Sequence, residues 1–343
     1  MTMKTSCALF LVCALLLALC VAVPDGLILW EAADALYTGG ELPQLSMSIL
    51  PYGGGLALCS LLAWIVSYLL VRKKASVHDA LCWFAWALGL GILLARFLYC
   101  AAEPAYYNPH WLTRMAALRI WDGGMAMTGA LLGILLAGKF APRGAALAPF
   151  AMPLFLAGAR LCEIQTQLGY GPSVDFEGML SRQIGYAVRL NVSLLEAAAA
   201  LIIFICMLLW VRRAARQNLV LSEKTKICAF LIFYGVTQIF MESLRKDRHL
   251  IWGFTKVQQI LSIGMILCAL LYLAKSSRER RHAVAITLCA AAPLVALEFA
   301  LDRADVSIFL LYGAYLIVLG AYLKAAYAML RRSPAASCHC KKA

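Results

Sequence analysis

Apolar runs of about 17–25 residues, the length a helix needs to cross the hydrocarbon of a bilayer, recur along almost all of this 343-residue chain. About ten can be marked: Cys7 to Val23, Leu50 to Val71, Ala80 to Cys100, Gly123 to Phe140, Ala145 to Leu161, Val192 to Val211, Ile227 to Met241, Val257 to Ala274, Ala283 to Phe299 and Ile308 to Leu330. Lipid offers a backbone N–H or C=O no partner, so each run is expected to be helical. Pro153 and Pro293 soften the boundaries of two of them. Hydrophobic residues make up 63% of the chain and charged residues 14%. Ordinary soluble domains run at about 45–50% and 25%. The expected class is therefore an all-α polytopic membrane protein with about ten transmembrane helices.

The net charge of +13 raises nucleic acid as a partner, but the placement of the charge argues against it. Lys and Arg gather in alternate loops: "VRKK" at 71–74, "GKFAPRG" at 138–144, "VRRAARQ" at 211–217 with Lys224 and Lys226, "KSSRERRH" at 275–282, and "RRSPAASCHCKK" near the C-terminus. Basic loops stay cytoplasmic, so with ten helices both termini are expected inside. A second set of cations runs against that rule. Arg114, Arg119, Arg160, Arg182, Arg189, Arg245, Lys246, Arg248 and Lys256 fall on the outer side or at its border. They point to an anionic ligand at the outer face, for which a phospholipid phosphate is the natural candidate.

The 13 cysteines do not read as a disulfide framework, because most lie inside apolar runs, where Cys acts as a small hydrophobe. "SCHC", Ser337 to Cys340, is too sparse in a tail to call a metal site. No metal and no cofactor are expected. The first run is read as an uncleaved helix, with a signal peptide as the alternative. Leu19 makes "LALC", Leu17 to Cys20, a poor lipoprotein box. Two outer segments are long and polar. Ala101 to Asp122 contains "EPAYYNPHW". Glu163 to Leu190 contains "LGYGPSVDFEGMLSRQIGY" and is expected on the membrane surface, its glycines and Pro172 arguing against a continuous helix. The last two runs carry few polar residues and read as an appended pair.

Two arginines stand out. Arg160 ends the run before "LCEIQTQLGYG", with Glu163 three residues on; Arg245 follows "LIFYGVTQIFMESL", with Glu242 three residues before it. An Arg at the edge of hydrocarbon is a functional candidate by default. Snorkelling to the headgroup layer, or a local Arg–Glu pair, would equally account for each.

Several ordered stretches resemble one family, the bacterial prolipoprotein diacylglyceryl transferases. "RIWDGGMAMTGALLG", Arg119 to Gly133, resembles "WDGGMSFHGGLIG". "GARLCEIQTQLGYG", Gly158 to Gly171, resembles "GRIGNFINGELYG". "LLEAAAA", Leu194 to Ala200, resembles the end of "PSQLYE". "FLIFYGVTQIFMESLRKD", Phe230 to Asp247, resembles "FLIxYGxxRFxxExxRxPD". "VQQILSIGMIL", Val257 to Leu267, resembles "GQILSLPMI". The resemblance covers about Leu50 to Ala274, so the expected organisation is three segments. Residues 1–45 form an N-terminal hydrophobic helix and outer linker, residues 46–276 a core of seven helices, and residues 277–343 two additional helices and a basic tail.

The resemblance implies transfer of the diacylglyceryl group of phosphatidylglycerol to the thiol of a lipobox cysteine on a prolipoprotein signal peptide, in the bacterial plasma membrane. It makes Arg160 and Arg245 a phosphate pair, since a guanidinium fork suits phosphate oxygens. Asp122, Gly123, Gly124, Gly129 and Gly171 then belong to the phospholipid site, loosely joined by Tyr52, with Glu196 and Glu242 orienting the arginines. The chain departs from the family motifs at five places. Thr128 stands where the family has His, Ala130 where it has the second glycine of "HGG", Glu163 where it has Asn, Leu168 where it has Glu, and Gln238 where it has Arg. A Thr hydroxyl cannot act as a general base near neutral pH, so Glu163 or His249 is the expected proton acceptor. Three readings stay open: the family transferase, transfer of the same lipid to another acceptor, and phospholipid binding alone.

Overall fold

The computed structural model describes residues 3–22, 50–102, 125–166, 168–246, 251–252, 255–303, 307–332 and 336–337. Ten α-helices lie among the described residues, one on each apolar run. They are α1 (Met3–Ala22), α2 (Leu50–Val71), α3 (Val77–Ala102), α4 (Met127–Phe140), α5 (Ala148–Glu163), α6 (Val192–Arg216), α7 (Glu223–Leu244), α8 (Val257–Leu273), α9 (Ser277–Arg303) and α10 (Ile308–Arg332). Seven are long and apolar enough to cross a membrane, namely α2, α3, α5, α6, α7, α9 and α10. At 14 and 17 residues, α4 and α8 are shorter than that. The protein is an all-α polytopic membrane protein. Its exposed side chains agree: Leu58, Phe97, Ile202, Leu288 and Ile317 project outward, where lipid rather than water is the favourable neighbour.

The chain divides into two compact units, Met1–Leu168 and Gly169–Ala343. In the first, α1 packs on α2 and α3, α2 packs on α5, and α3 packs closely on α4. Small residues set that last contact. A Cβ added at Gly129 would lie 2.7 Å from Ala95 Cα, and one at Gly133 would lie 2.5 Å from Gly91 Cα and from the Leu90 carbonyl carbon. Backbone fills the space a side chain would need, the pattern expected where helix association in lipid rests on van der Waals contact. The Ala126 N–H donates to the Ala95 carbonyl (3.0 Å) and fixes the entry to α4. A short 3₁₀ turn, Ala145–Leu147, leads into α5, which carries a proline in its first turn, where no N–H is missed, and Pro153 inside.

The second unit opens on a three-stranded antiparallel sheet, β1 (Tyr170–Ser173), β2 (Ser181–Ile184) and β3 (Ala187–Asn191), in the order β1-β3-β2. The glycines and Pro172 that argued against a helix serve here as turn and strand residues; Gly185 takes φ +60° in the β2–β3 turn. The Asn191 side chain caps α6 by accepting from the Leu194 N–H (3.3 Å). Ser222 caps α7 through the Thr225 N–H (3.0 Å). Helix α7 is the hub, packing against α6, α8 and α10, while α9 packs on α8 and α10. Four two-residue strand segments complete the unit: β4 (Leu219–Val220) pairs with β7 (Ala336–Ser337), and β5 (Ile251–Trp252) pairs with β6 (Thr255–Lys256).

Candidate functional site

In the first unit Arg160 occupies the last turn of α5 and Glu163 ends that helix. Arg160 Nη1 donates to Glu163 Oε2 at 2.8 Å, and both side chains are buried. The i,i+3 spacing places them on one helical face, and burial removes the water that would weaken the pair. The positive end of this pair sits at a helix C-terminus, where a cation is favoured by the peptide dipoles. Thr128 is buried in the first turn of α4, next to Gly129. Because α4 begins at Met127, Thr128 lies at the very start of that helix. Tyr52 is half-buried in the first turn of α2.

One charged residue in this unit escaped notice in the sequence. Arg96 lies inside α3, is 1% exposed, and has its guanidinium 5.9 Å from the Tyr99 ring centroid. It directly follows Ala95, whose carbonyl holds the entry to α4. A lone Arg in the apolar run Ala80 to Cys100 was the available signal, since ionisable residues at membrane depth are costly and mark function.

The second unit holds a larger polar cluster around the end of α7. Arg245 is the C-cap residue of α7. Its Nη1 donates to Glu196 of α6 at 3.1 and 3.4 Å, and it lies 4.0 Å from the Glu242 carboxylate. All three side chains are buried. Gln238, one turn before Glu242, donates through Nε2 to Glu242 Oε1 (2.7 Å) and Glu196 Oε1 (3.3 Å). One carboxamide therefore bridges the two carboxylates that hold the arginine. The sequence marked Gln238 only as a departure, because contact across 42 residues of chain is not visible in spacing.

Lys256, at the start of α8, closes the cluster. It is buried, and its Nζ donates to the carbonyls of Glu242 and Arg245. Those carbonyls belong to the helix end, whose last C=O groups have no partner within the helix. The sheet docks on the same turn. The Lys246 N–H donates to the Tyr170 carbonyl (2.8 Å), and a Cβ at Gly171 would lie 2.9 Å from Val192 Cγ2 and 3.2 Å from the Leu244 carbonyl oxygen. Gly171 thus permits β1 to lie against the end of α7. Arg189 stacks over Tyr170 at 5.0 Å, and Arg182 pairs in register with Arg189 across β2 and β3.

Each unit accordingly presents a buried arginine at a helix C-terminus, oriented by carboxylate. Such a group can meet an anion without paying much ordering entropy, because ion pairs already fix its rotamer. Among the described residues no group of three or more His, Cys, Asp or Glu side chains could hold a metal ion. Asp122, Gly123, Gly124, His249 and Cys338 to Cys340 lie outside the described residues.

Among known proteins, residues 42–275 match the family described as prolipoprotein diacylglyceryl transferase. The chain is 27% identical over 226 residues to the phosphatidylglycerol–prolipoprotein diacylglyceryl transferase of Streptococcus equi subsp. equi, covering 61% of this chain and 83% of the relative. It is 26% identical over 256 residues to the Thermotoga maritima protein of the same name, covering 65% and 81%. The Pediococcus pentosaceus protein, again of that name, is 26% identical over 251 residues, covering 67% and 87%.

Proposed function

Because this chain belongs to the prolipoprotein diacylglyceryl transferase family, we propose that it transfers the diacylglyceryl group of phosphatidylglycerol to the thiol of a lipobox cysteine, the first step of lipoprotein maturation. The observation that carries this reading is Arg245, buried and held between Glu196 and Glu242 at the end of α7, in the stretch that resembles the family's "ExxR". The site faces the outer side of a bacterial plasma membrane, with both termini cytoplasmic. Residues 46–276 form the transferase core, flanked by the N-terminal helix and the C-terminal pair.

In this reaction the cysteine sulfur attacks the glyceryl carbon that bears the phosphoester oxygen. A C–S bond forms, the C–O bond breaks, and glycerol phosphate leaves with the bonding electron pair. Arg160 and Arg245 donate to the phosphate oxygens as that charge builds. Glu163 takes the thiol proton, since the thiolate is the competent nucleophile. Its ion pair with Arg160 (2.8 Å) supports this by tying the proton acceptor to a phosphate ligand. By the family resemblance, Tyr52, Thr128, Gly129, Gly171 and the Asp122–Gly124 stretch are assigned to headgroup binding.

One feature favours a second reading. Thr128 stands where the resembling motif has His, and a hydroxyl can position a group but not carry its proton at neutral pH. On that reading the protein lipidates another acceptor or only binds phospholipid. Complementation separates the two. The chain is expressed in bacteria depleted of their own transferase, and the mass of a lipobox substrate is followed. Growth with a diacylglyceryl-modified cysteine is the expected result. A folded, membrane-inserted protein with no mass shift, unchanged by Thr128→His, would overturn the transferase assignment.

A further inference from the structure

The family match ends at residue 275, leaving α9 and α10 without an assigned role, yet α10 is bonded to the turn that carries Arg245. The Tyr312 hydroxyl donates to the Ser243 carbonyl at 3.1 Å, two residues before Arg245. The Tyr315 hydroxyl donates to the Ile239 carbonyl (3.5 Å) and accepts from Gln259 Nε2 (3.4 Å). Gln259 in turn accepts the Lys256 N–H through Oε1 (3.2 Å). Phe240 of α7 packs edge-on against Tyr312 (6.2 Å) and tilted against Tyr315 (6.3 Å). Buried Glu298 of α9 lies against the same Tyr315 hydroxyl.

Four carbonyls at this helix end have identified donors. Met241 and Glu242 receive the Arg245 N–H (both 3.2 Å). Glu242 and Arg245 receive Lys256 Nζ. Ser243 receives Tyr312. In an apolar surrounding an unmet carbonyl has no water to turn to, so each of these donors stiffens the turn. Two come from the start of α8 and from α10, and Tyr315 joins those two elements through Gln259.

We propose that α9 and α10 are a buttress for the phosphate-binding end of α7, with Tyr312 and Tyr315 as positioning residues that act through Arg245. The effect on catalysis rests on the transferase reading; the effect on the helix end does not. The test is hydrogen–deuterium exchange on the full-length protein in phosphatidylglycerol nanodiscs, comparing wild type with Tyr312→Phe, Tyr315→Phe and Tyr327→Phe. Tyr327 is the control, an α10 tyrosine whose ring meets Phe233 at 6.5 Å, farther from the turn along the helix.

Amides 239–246 should exchange about three- to tenfold faster in Tyr312→Phe and in Tyr315→Phe, the loss of one net hydrogen bond, and at the wild-type rate in Tyr327→Phe. Wild-type exchange in both test variants, or equal acceleration in the control, would overturn the buttress. Steady-state transfer to a lipobox peptide supplies the second arm. Misplaced Arg245 should raise the KM for phosphatidylglycerol about three- to tenfold and leave the KM for peptide unchanged. A fall in kcat alone, as from a smaller folded fraction, would overturn action through Arg245. Altered exchange in a protein whose wild type transfers no lipid would uphold the buttress and sink the transferase reading instead.

Discussion

Replacing Glu196 with Gln removes one negative charge from the Arg245 cluster and almost no volume. The carboxamide keeps an oxygen for the arginine, so hydrogen bonding largely survives and the change isolates the charge. Arg245 lies 3.1 Å from Glu196 and 4.0 Å from Glu242. At the effective dielectric of about 20 that suits buried sites, contacts at those separations are worth roughly 5 and 4 kcal/mol. Losing the nearer partner is offset in part when the guanidinium swings toward Glu242. A net cost of about 3 kcal/mol is expected, at the lower end for breaking a buried pair from one side. In a chain of this size that is a drop in Tm of about 4 °C. Thermal unfolding of the purified protein in nanodiscs, followed by tryptophan fluorescence, measures it. A Tm within about 1 °C of wild type would refute the reasoning, because it would mean the cluster holds Arg245 without net electrostatic stabilisation.

Other substitutions test the remaining parts. Arg160→Ala and Arg245→Ala should each abolish lipid transfer; near-normal mass shifts of a lipobox substrate in both would remove the phosphate pair. With Glu163 as proton acceptor, Glu163→Gln should slow transfer about 10²-fold or more, and an unchanged rate would take it out of that role. Lys256→Met strips a donor from two helix-end carbonyls and should cost about 2–4 kcal/mol, read as a lower unfolding midpoint. Gly133→Ala drives a methyl to 2.5 Å from the α3 backbone. It should cost several kcal/mol, since neither helix can yield by a rotamer change alone; wild-type stability there would mean that α3 and α4 part easily.

The helices were legible because hydrocarbon leaves backbone no alternative, so length and apolarity alone identified all ten runs. The identity of the principal charged residues was legible for a related reason. An Arg beside hydrocarbon is rare enough to be noticed one residue at a time, and Arg160 with Glu163 is a local pair on a known helical period. Even so, Arg96 was passed over inside an otherwise apolar run. The sheet of residues 170–191 was visible only as a segment that could not be a helix. Its strands are four or five residues long, too short for alternation to separate from turn.

Contact, by contrast, depends on tertiary structure. Nothing in spacing joins Glu196 to Gln238 and Arg245, or Tyr312 to Ser243, because each bond crosses between helices whose rotation and register follow from packing. Apolar length commits a segment to the membrane whatever its neighbours are. Which face of that helix meets which other helix is decided by small local fits, such as Gly133 against Gly91, and only the assembled fold resolves them.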